Sequence, residues 1–194
     1  RDGRLTLQQV SARNRLTVRL TISETPSPNW SGIGRIFCHS MSKRPDAPAA
    51  RRNRVPILEV LRDELSNSRS VLEIGSGTGQ HAVYFAATLD QLTWQTSDRV
   101  FNHSGINAWI DFSDLDNVLP PLDIDVLMTI EVEGEYDAIF SSNTTHIMGM
   151  VAVRRMFALA GRTLPVEGIF CLYGPFNIEG AFTSESNKSF DRSL

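Results

Sequence analysis

Residues 71–86 read VLEIGSGTGQHAVYFA. An apolar run, Val71 to Ile74, meets three glycines at alternate positions, Gly75, Gly77 and Gly79. A segment with helical apolar spacing follows. A glycine turn between a strand and a helix lets the backbone pass close to a ligand, because no Cβ stands in the way. Several nucleotide and nucleoside ligands are held by such turns, so the spacing has to separate them.

The dinucleotide fingerprint GxGxxG, counted from Gly75, requires glycine at position 80, where this chain has Gln80. The phosphate loop GxxxxGK[ST] requires a lysine after its last glycine, but Gln80 and His81 follow Gly79. A pyrophosphate or triphosphate cradle is therefore disfavoured. What remains is an acid, Glu73, and then GxGxG, a pattern that resembles the first motif of class I methyltransferases, which bind S-adenosylmethionine. That ligand carries no phosphate. An acid near the loop suits its ammonium or sulfonium charge, directly or through water. Asp98 lies about twenty residues beyond the loop, the distance expected of a ribose-hydroxyl acceptor. Asp125 ends a third strand candidate, where an adenine amino group would be met. Taken singly, a glycine turn is weak evidence, Asp98 reads as a helix cap and Asp125 as a solvated loop residue. Each acid following its own strand favours a nucleoside-type ligand, with NAD the main alternative.

Outward from the loop, strands and helices alternate. PILEVLRDEL (56–65) has helical spacing, with Pro56 suited to a first turn. SVLEI (70–74) reads as a buried strand, HAVYFAATL (81–89) as a helix and LTWQTS (92–97) as a second strand. INAWI (106–110) is helical, and LDIDV (122–126), entered through Pro120 and Pro121, is the third strand candidate. YDAIFSS (136–142) is a fourth strand, Met150 to Ala160 a helix, and GIFCLYG (168–174) a fifth strand. This alternation predicts an α/β fold, a parallel sheet with helices on both faces. Ligands bind such sheets beyond the carboxyl ends of the strands.

The chain has 194 residues, 41% hydrophobic and 21% charged, with a formal net charge of −3. That is ordinary for one globular domain, and the acidic balance argues against nucleic acid as partner. No apolar run is long enough to span a bilayer. Cys38 and Cys171 form no CxxC pair, so no metal site is expected and a reducing, cytoplasmic setting fits. Residues 1–40 are arginine-rich and acid-poor, and Met41 opens a different composition. They read either as an organelle-targeting extension or, the favoured reading, as disordered or flanking sequence with Met41 the start. SETPSPNWSGIG (23–34) reads as loop.

Beyond these local patterns, several blocks resemble one family in order. They are APAARRNRVPILEVLRDEL (47–65), VLEIGSGTGQHAVYFAATL (71–89), WQTSD (94–98), AWI (108–110), LPPLDIDV (119–126), DAIFSSNTTHIM (137–148) and FCLYGPFNIEGAFTSESNKSFD (170–191). The family is the methyltransferase-like 26 family, also known as domain of unknown function 938. The resemblance covers residues 41–194, and GSGTGQHA, LYGPF and SESNKSFD are its most specific motifs. It implies a Rossmann-like class I methyltransferase three-layer sandwich that uses S-adenosylmethionine. By position it places Glu73, Gly75, Ser76, Gly77 and Gln80 at the methionine end of the cofactor. It places Asp98 at the ribose, Asp125 near the adenine and Asn143 beside the methionine moiety or methyl group. Arg54 would face the same cleft.

Three departures from the family pattern stand out. Arg51-Arg52 precede Asn53 where the family has Glu, and Pro165-Val166-Glu167-Gly168 replaces a Pro-Gly-Gly-like turn. The third is that a class I sheet has seven strands, the last two forming a hairpin beside the fifth. Those two strands are expected to be absent here, leaving the fifth as an exposed apolar edge.

His146 is the nearest candidate general base, or else a cap of the next helix. Tyr173 is a candidate substrate contact, or else a core tyrosine. Ser184, Asn187 and Asp191 would form a lid or substrate wall, or else serve as turn and capping residues. The expected acceptor is a small molecule or a protein. The alternatives are a non-catalytic relative that binds the cofactor or a partner, and an NAD-linked oxidoreductase.

Overall fold

The computed structural model describes residues 5–11, 14–21 and 44–176, the first two stretches as backbone only. Ser184, Asn187, Asp191 and the 23–34 loop lie outside the described residues. The elements are β1 (Leu5–Ser11), β2 (Asn14–Thr21), α1 (Pro48–Glu64), β3 (Ser70–Glu73), α2 (Gln80–Ala86) and β4 (Thr93–Asp98). They continue with α3 (Val100–Ser113), β5 (Val118–Asp123), β6 (Ala138–Ser142), α4 (Met150–Thr163) and β7 (Ile169–Tyr173), with a 3-10 turn at Thr145–Ile147.

One sheet runs in the order β1-β2-β7-β6-β3-β4-β5. From β7 to β5 every neighbouring pair is parallel. The chain moves outward from β3 through β4 to β5, then returns to the other side of β3 as β6. The order therefore reverses between β3 and β6, and a crevice opens outside their carboxyl ends.

Strand side chains alternate between two apolar layers, as the period of two requires. Val71, Trp94 and Phe140 pack with Ile57, Leu61 and Phe85 of α1 and α2. Leu72, Ile139 and Phe170 pack on the other face with Met156 and Leu159 of α4. On that second face a segment of loops and turns, including Ile124, Val126 and Tyr136, lies where a helix would otherwise sit between β5 and β6. The three-layer α/β sandwich expected from the sequence is present.

Three local expectations are corrected. Helix α1 starts at Pro48, and Pro56 lies inside it. The helix survives that lost N–H because Ala50, Asn53, Ile57, Leu58 and Leu61 form one buried stripe across it. Strand β5 spans Val118–Asp123 and contains Pro120 and Pro121. It is the edge of the sheet, where a missing N–H costs no ladder bond. Asp125 therefore falls in the loop beyond the strand and does not end it.

The third correction concerns β7, expected to be an exposed apolar edge. Strand β2 pairs in parallel with β7 from Thr17↔Ile169 to Thr21↔Tyr173, and β1 pairs antiparallel with β2. The stretches LTLQQVS and NRLTVRLT mix Leu, Val and Thr with polar residues, a composition that suits a strand. The edge groups of β7 are thus satisfied by an amino-terminal hairpin, on the side where a class I sheet carries its carboxyl-terminal one.

A candidate nucleoside site at the carboxyl ends of β3, β4 and β6

All three glycines of the loop adopt left-handed backbone, Gly75 at φ 77°, Gly77 at φ 58° and Gly79 at φ 84°. Two of them also sit in tight packing. A Cβ on Gly75 would stand 2.6 Å from Thr144 Cγ2, and one on Gly79 would stand 3.0 Å from Ile106 Cα. A Cβ on Gly77 would meet nothing within 4 Å. Gly75 and Gly79 are therefore glycines for packing and conformation. Gly77 presents bare backbone to open space, as close approach by a ligand requires.

The loop is fastened to β4. The N–H groups of Gly75 and Ser76 donate to Ser97 O at 3.1 and 2.8 Å. Ser97 Oγ donates to Glu73 O at 2.6 Å, and Ser97 N donates to Ser76 Oγ at 3.1 Å. Gly77 N donates to Asp98 Oδ2 at 2.7 Å. The other carboxylate oxygen, Oδ1, accepts from Arg99 N at 2.7 Å and Asn102 Nδ2 at 2.9 Å. Asp98 is thus held rigidly at the end of β4. A carboxylate offers about four acceptor sites in all, so Oδ2 retains capacity for a ligand hydroxyl. Helix α3 has Arg99 as its N-cap and no side-chain cap bond, so Asp98 does not act as its cap.

Glu73 lies beneath the loop, 1% exposed. Its Oε2 accepts from Ser76 Oγ and from Trp94 Nε1, both at 3.0 Å. Burial pushes its pKa up to about 7, against the opposing pull of the Trp94 and Ser76 bonds. Gln80 fastens the chain that leads into α1. Its Nε2 donates to Asp46 Oδ1 at 3.1 Å, and its Oε1 accepts from Ala47 N and Thr78 Oγ1. These two residues brace the loop with polar atoms that are already engaged within the protein. Asp46 also pairs with Arg51 at 3.2 Å, one of the two arginines that depart from the family pattern.

The strand on the other side of the switch point is fastened equally. Ile74 N donates to Phe140 O at 2.9 Å, and Ser141 Oγ donates to Ile74 O at 2.7 Å. That leaves Thr144 Oγ1 as the donor to Ser141 Oγ, at 2.7 Å. Asn143 turns the chain out of β6 at φ 56°, its N–H donating to Tyr173 O at 2.8 Å. Gly75, Asp98 and Asn143 therefore stand at the ends of neighbouring strands around one crevice. His146 lies just beyond, in the 3-10 turn, where burial lowers its pKa. It does not cap α4, whose N-cap is Gly149.

The remaining candidates are placed otherwise. Tyr173 is 6% exposed and belongs to the core beneath α1 and α2. Arg54 lays its guanidinium 4.4 Å from the centroid of the Tyr84 ring. Asp125 Oδ1 accepts from Leu127 N at 2.9 Å in the loop after β5.

Sequence reasoning did not single out Trp94, Ser97, Asn102 or the pair His81–Asn53. His81 Nε2 and Asn53 Oδ1 share a hydrogen bond of 2.8 Å between α2 and α1, and burial lowers the His81 pKa to about 4. The sequence signal for Trp94, Ser97, His81 and Asn53 was their place in the blocks WQTSD, GSGTGQHA and APAARRNRVPILEVLRDEL; Asn102 lies in no such block.

The fold and the loop geometry define a Rossmann-like methyltransferase fold, and solved structures agree. An O-methyltransferase family protein from Burkholderia thailandensis matches with TM-score 0.62 at 17% identity, over 75% of this chain and 45% of that one. The S-adenosylmethionine-dependent methyltransferase SibL in its apo form matches with TM-score 0.61 at 15% identity, over 74% and 41%. The mitomycin 7-O-methyltransferase MmcR matches with TM-score 0.60 at 13% identity, over 72% and 40%. The chain thus spans less than half the length of each of these proteins. A family model described as "Protein of unknown function (DUF938)" matches residues 44–194, and the chain belongs to that family. No helix among the described residues is long and apolar enough to cross a membrane.

Proposed function

We propose that this chain carries the cofactor-binding part of an S-adenosylmethionine-dependent methyltransferase. The observation that carries the reading is Gly77. It has left-handed backbone, open space above it, and its N–H on Asp98 at the end of the next strand. A ribose held by Asp98 would lie against that bare backbone. Its adenine would extend toward the loop after β5, where Asp125 stands, and its methionine end toward Gly75 and Asn143. The residues present therefore fit the group. When bound, S-adenosylmethionine supplies a sulfonium methyl. That methyl would pass to a lone pair of the acceptor, with the electron pair of the S–CH3 bond retained by sulfur.

What the chain's own residues do follows from their placement. Glu73, Ser76, Trp94 and Ser97 keep the loop rigid, so that little reorganisation accompanies binding. A general base is needed only for an acceptor that keeps its proton at working pH. His146, whose pKa burial lowers, is the candidate to take that proton.

The test is incubation with methyl-labelled S-adenosylmethionine and a panel of phenols, amines, thiols and proteins. Label transfer that is lost in Asp98→Ala supports the reading. Cofactor binding with no transfer to any class favours a non-catalytic binding role. The absence of both contradicts the proposal.

A further inference from the structure

Among the described residues, twelve large apolar side chains stand exposed, and eight of them lie in segments that follow the carboxyl ends of β4, β5 and β6. Val100 and Phe101, 62% and 65% exposed, open α3 directly after Asp98 and Arg99. Ile147, Met150 and Val151, 76%, 65% and 65% exposed, follow β6. The second group begins three residues after Thr144, the residue against which Gly75 packs. It therefore leaves the sheet at the same end as the glycine loop. Met150 and Val151 open α4, whose buried side is made by Ala152, Met156, Leu159 and Ala160, so their exposure is not a shortage of core positions. Exposed apolar surface gathered at one end of a molecule, next to a ligand cleft, marks a binding surface.

Charge narrows the occupant. Residues 143–153 read NTTHIMGMVAV, without one Asp, Glu, Lys or Arg. A nucleic acid would need cationic side chains for its phosphates. A lysine or arginine acceptor would need carboxylates beside its path. Within this segment neither is supplied, and desolvating a charged acceptor against it would go uncompensated.

Resting on the methyltransferase reading above, we propose that the acceptor is a small, uncharged molecule with an apolar, ring-sized body. It seats on the lip formed by Ile147, Met150 and Val151, at the methionine end of the cofactor. Its nucleophilic atom points past Asn143 toward the methyl position.

The test uses 2-naphthol as a fluorescent probe, with 2-naphthyl phosphate as its charged counterpart. Titrations are run with and without S-adenosylhomocysteine. Saturable 2-naphthol binding is expected, at least tenfold tighter than that of the phosphate. The double variant Ile147→Asp/Met150→Asp should weaken it at least tenfold while S-adenosylhomocysteine affinity stays the same, and Met150→Ser should weaken it less. Unfolding curves establish that each variant is folded. No saturable 2-naphthol binding, equal binding in the double variant, or tighter binding of the phosphate would overturn the proposal. So would sedimentation showing a wild-type dimer that the double variant dissolves, because a second copy would then own the lip. A wild-type chain that binds 2-naphthol through the lip but not S-adenosylhomocysteine counts against the methyltransferase reading alone.

Discussion

The carboxyl ends of β3 and β4 and the segments that follow β5 and β6 are built on opposite principles. The first region is polar, buried and fully tied. Glu73, Ser76, Ser97 and Asp98 are each at most 9% exposed, and each has hydrogen-bond partners within the protein. The second is apolar and open, with Met128 at 78% and Ile147 at 76% exposed. It is tied to the body by core contacts of Ile124, Val126 and Tyr136 and by arginines of α4 that reach loop carbonyls, Arg155 to Leu127 and Arg162 to Ile130. A rigid, satisfied half suits a ligand of fixed shape. An apolar, open surface suits selection among acceptors, so specificity is expected to reside there.

Substitutions should separate the two halves by size of effect. Gly75→Ala forces a Cβ to within 2.6 Å of Thr144 on backbone at φ 77°. Left-handed backbone and overpacking together should cost about 2–4 kcal/mol of stability, read by urea denaturation. An unchanged midpoint would mean that the loop does not pack on β6 as described.

Asp98→Ala removes the acceptor of Gly77 N–H and the proposed ribose contact. It should weaken S-adenosylhomocysteine binding by about 1–3 kcal/mol, roughly ten- to a hundredfold. Equal affinity in calorimetry would remove Asp98 from the site.

Two buried titrating groups give stability opposite pH dependences. Glu73 holds its proton more tightly folded than unfolded, its pKa raised from 4.5 to about 7. Its contribution is therefore greatest in acid and is lost as pH rises through about 7. Glu73→Gln should remove a loss on the order of 1–2 kcal/mol between pH 5 and pH 7. His81 runs the other way, its pKa lowered from 6.5 to about 4, so its contribution is present above about 6.5 and is lost as pH falls toward 4. Unfolding curves of Glu73→Gln parallel to wild type across this range would contradict the burial of an ionisable Glu73. The smallest effect is expected in the open half. Met150→Ser should shift stability by no more than about 0.5 kcal/mol, as for an exposed position. A larger loss would show that the lip is structural.

The polar half around the glycine loop was legible as structure in the sequence because motif and burial coincide there. A short apolar strand, glycines at fixed offsets and an acid after the next strand leave few alternatives. The sequence placed Gly77 and Asp98 at one site, and a 2.7 Å bond joins them. It did not show that Glu73 and Gln80 spend their polar atoms bracing the loop, since partners such as Trp94 and Asp46 come together only on folding. Strand β5 was displaced in the reading because its prolines look like turn residues, and their tolerance at a sheet edge depends on topology. The pairing of β2 with β7 was missed for a related reason, since an alternating polar strand names no partner. The apolar lip was invisible because exposure is a property of the packed structure.

The central claim, that the crevice between β3 and β6 is an S-adenosylmethionine site, is tested most directly by calorimetry of the wild-type chain with S-adenosylmethionine, S-adenosylhomocysteine and NAD. Saturable one-to-one binding of the first two, and none of NAD, is the predicted result. Binding of NAD with no response to either of the others would contradict it.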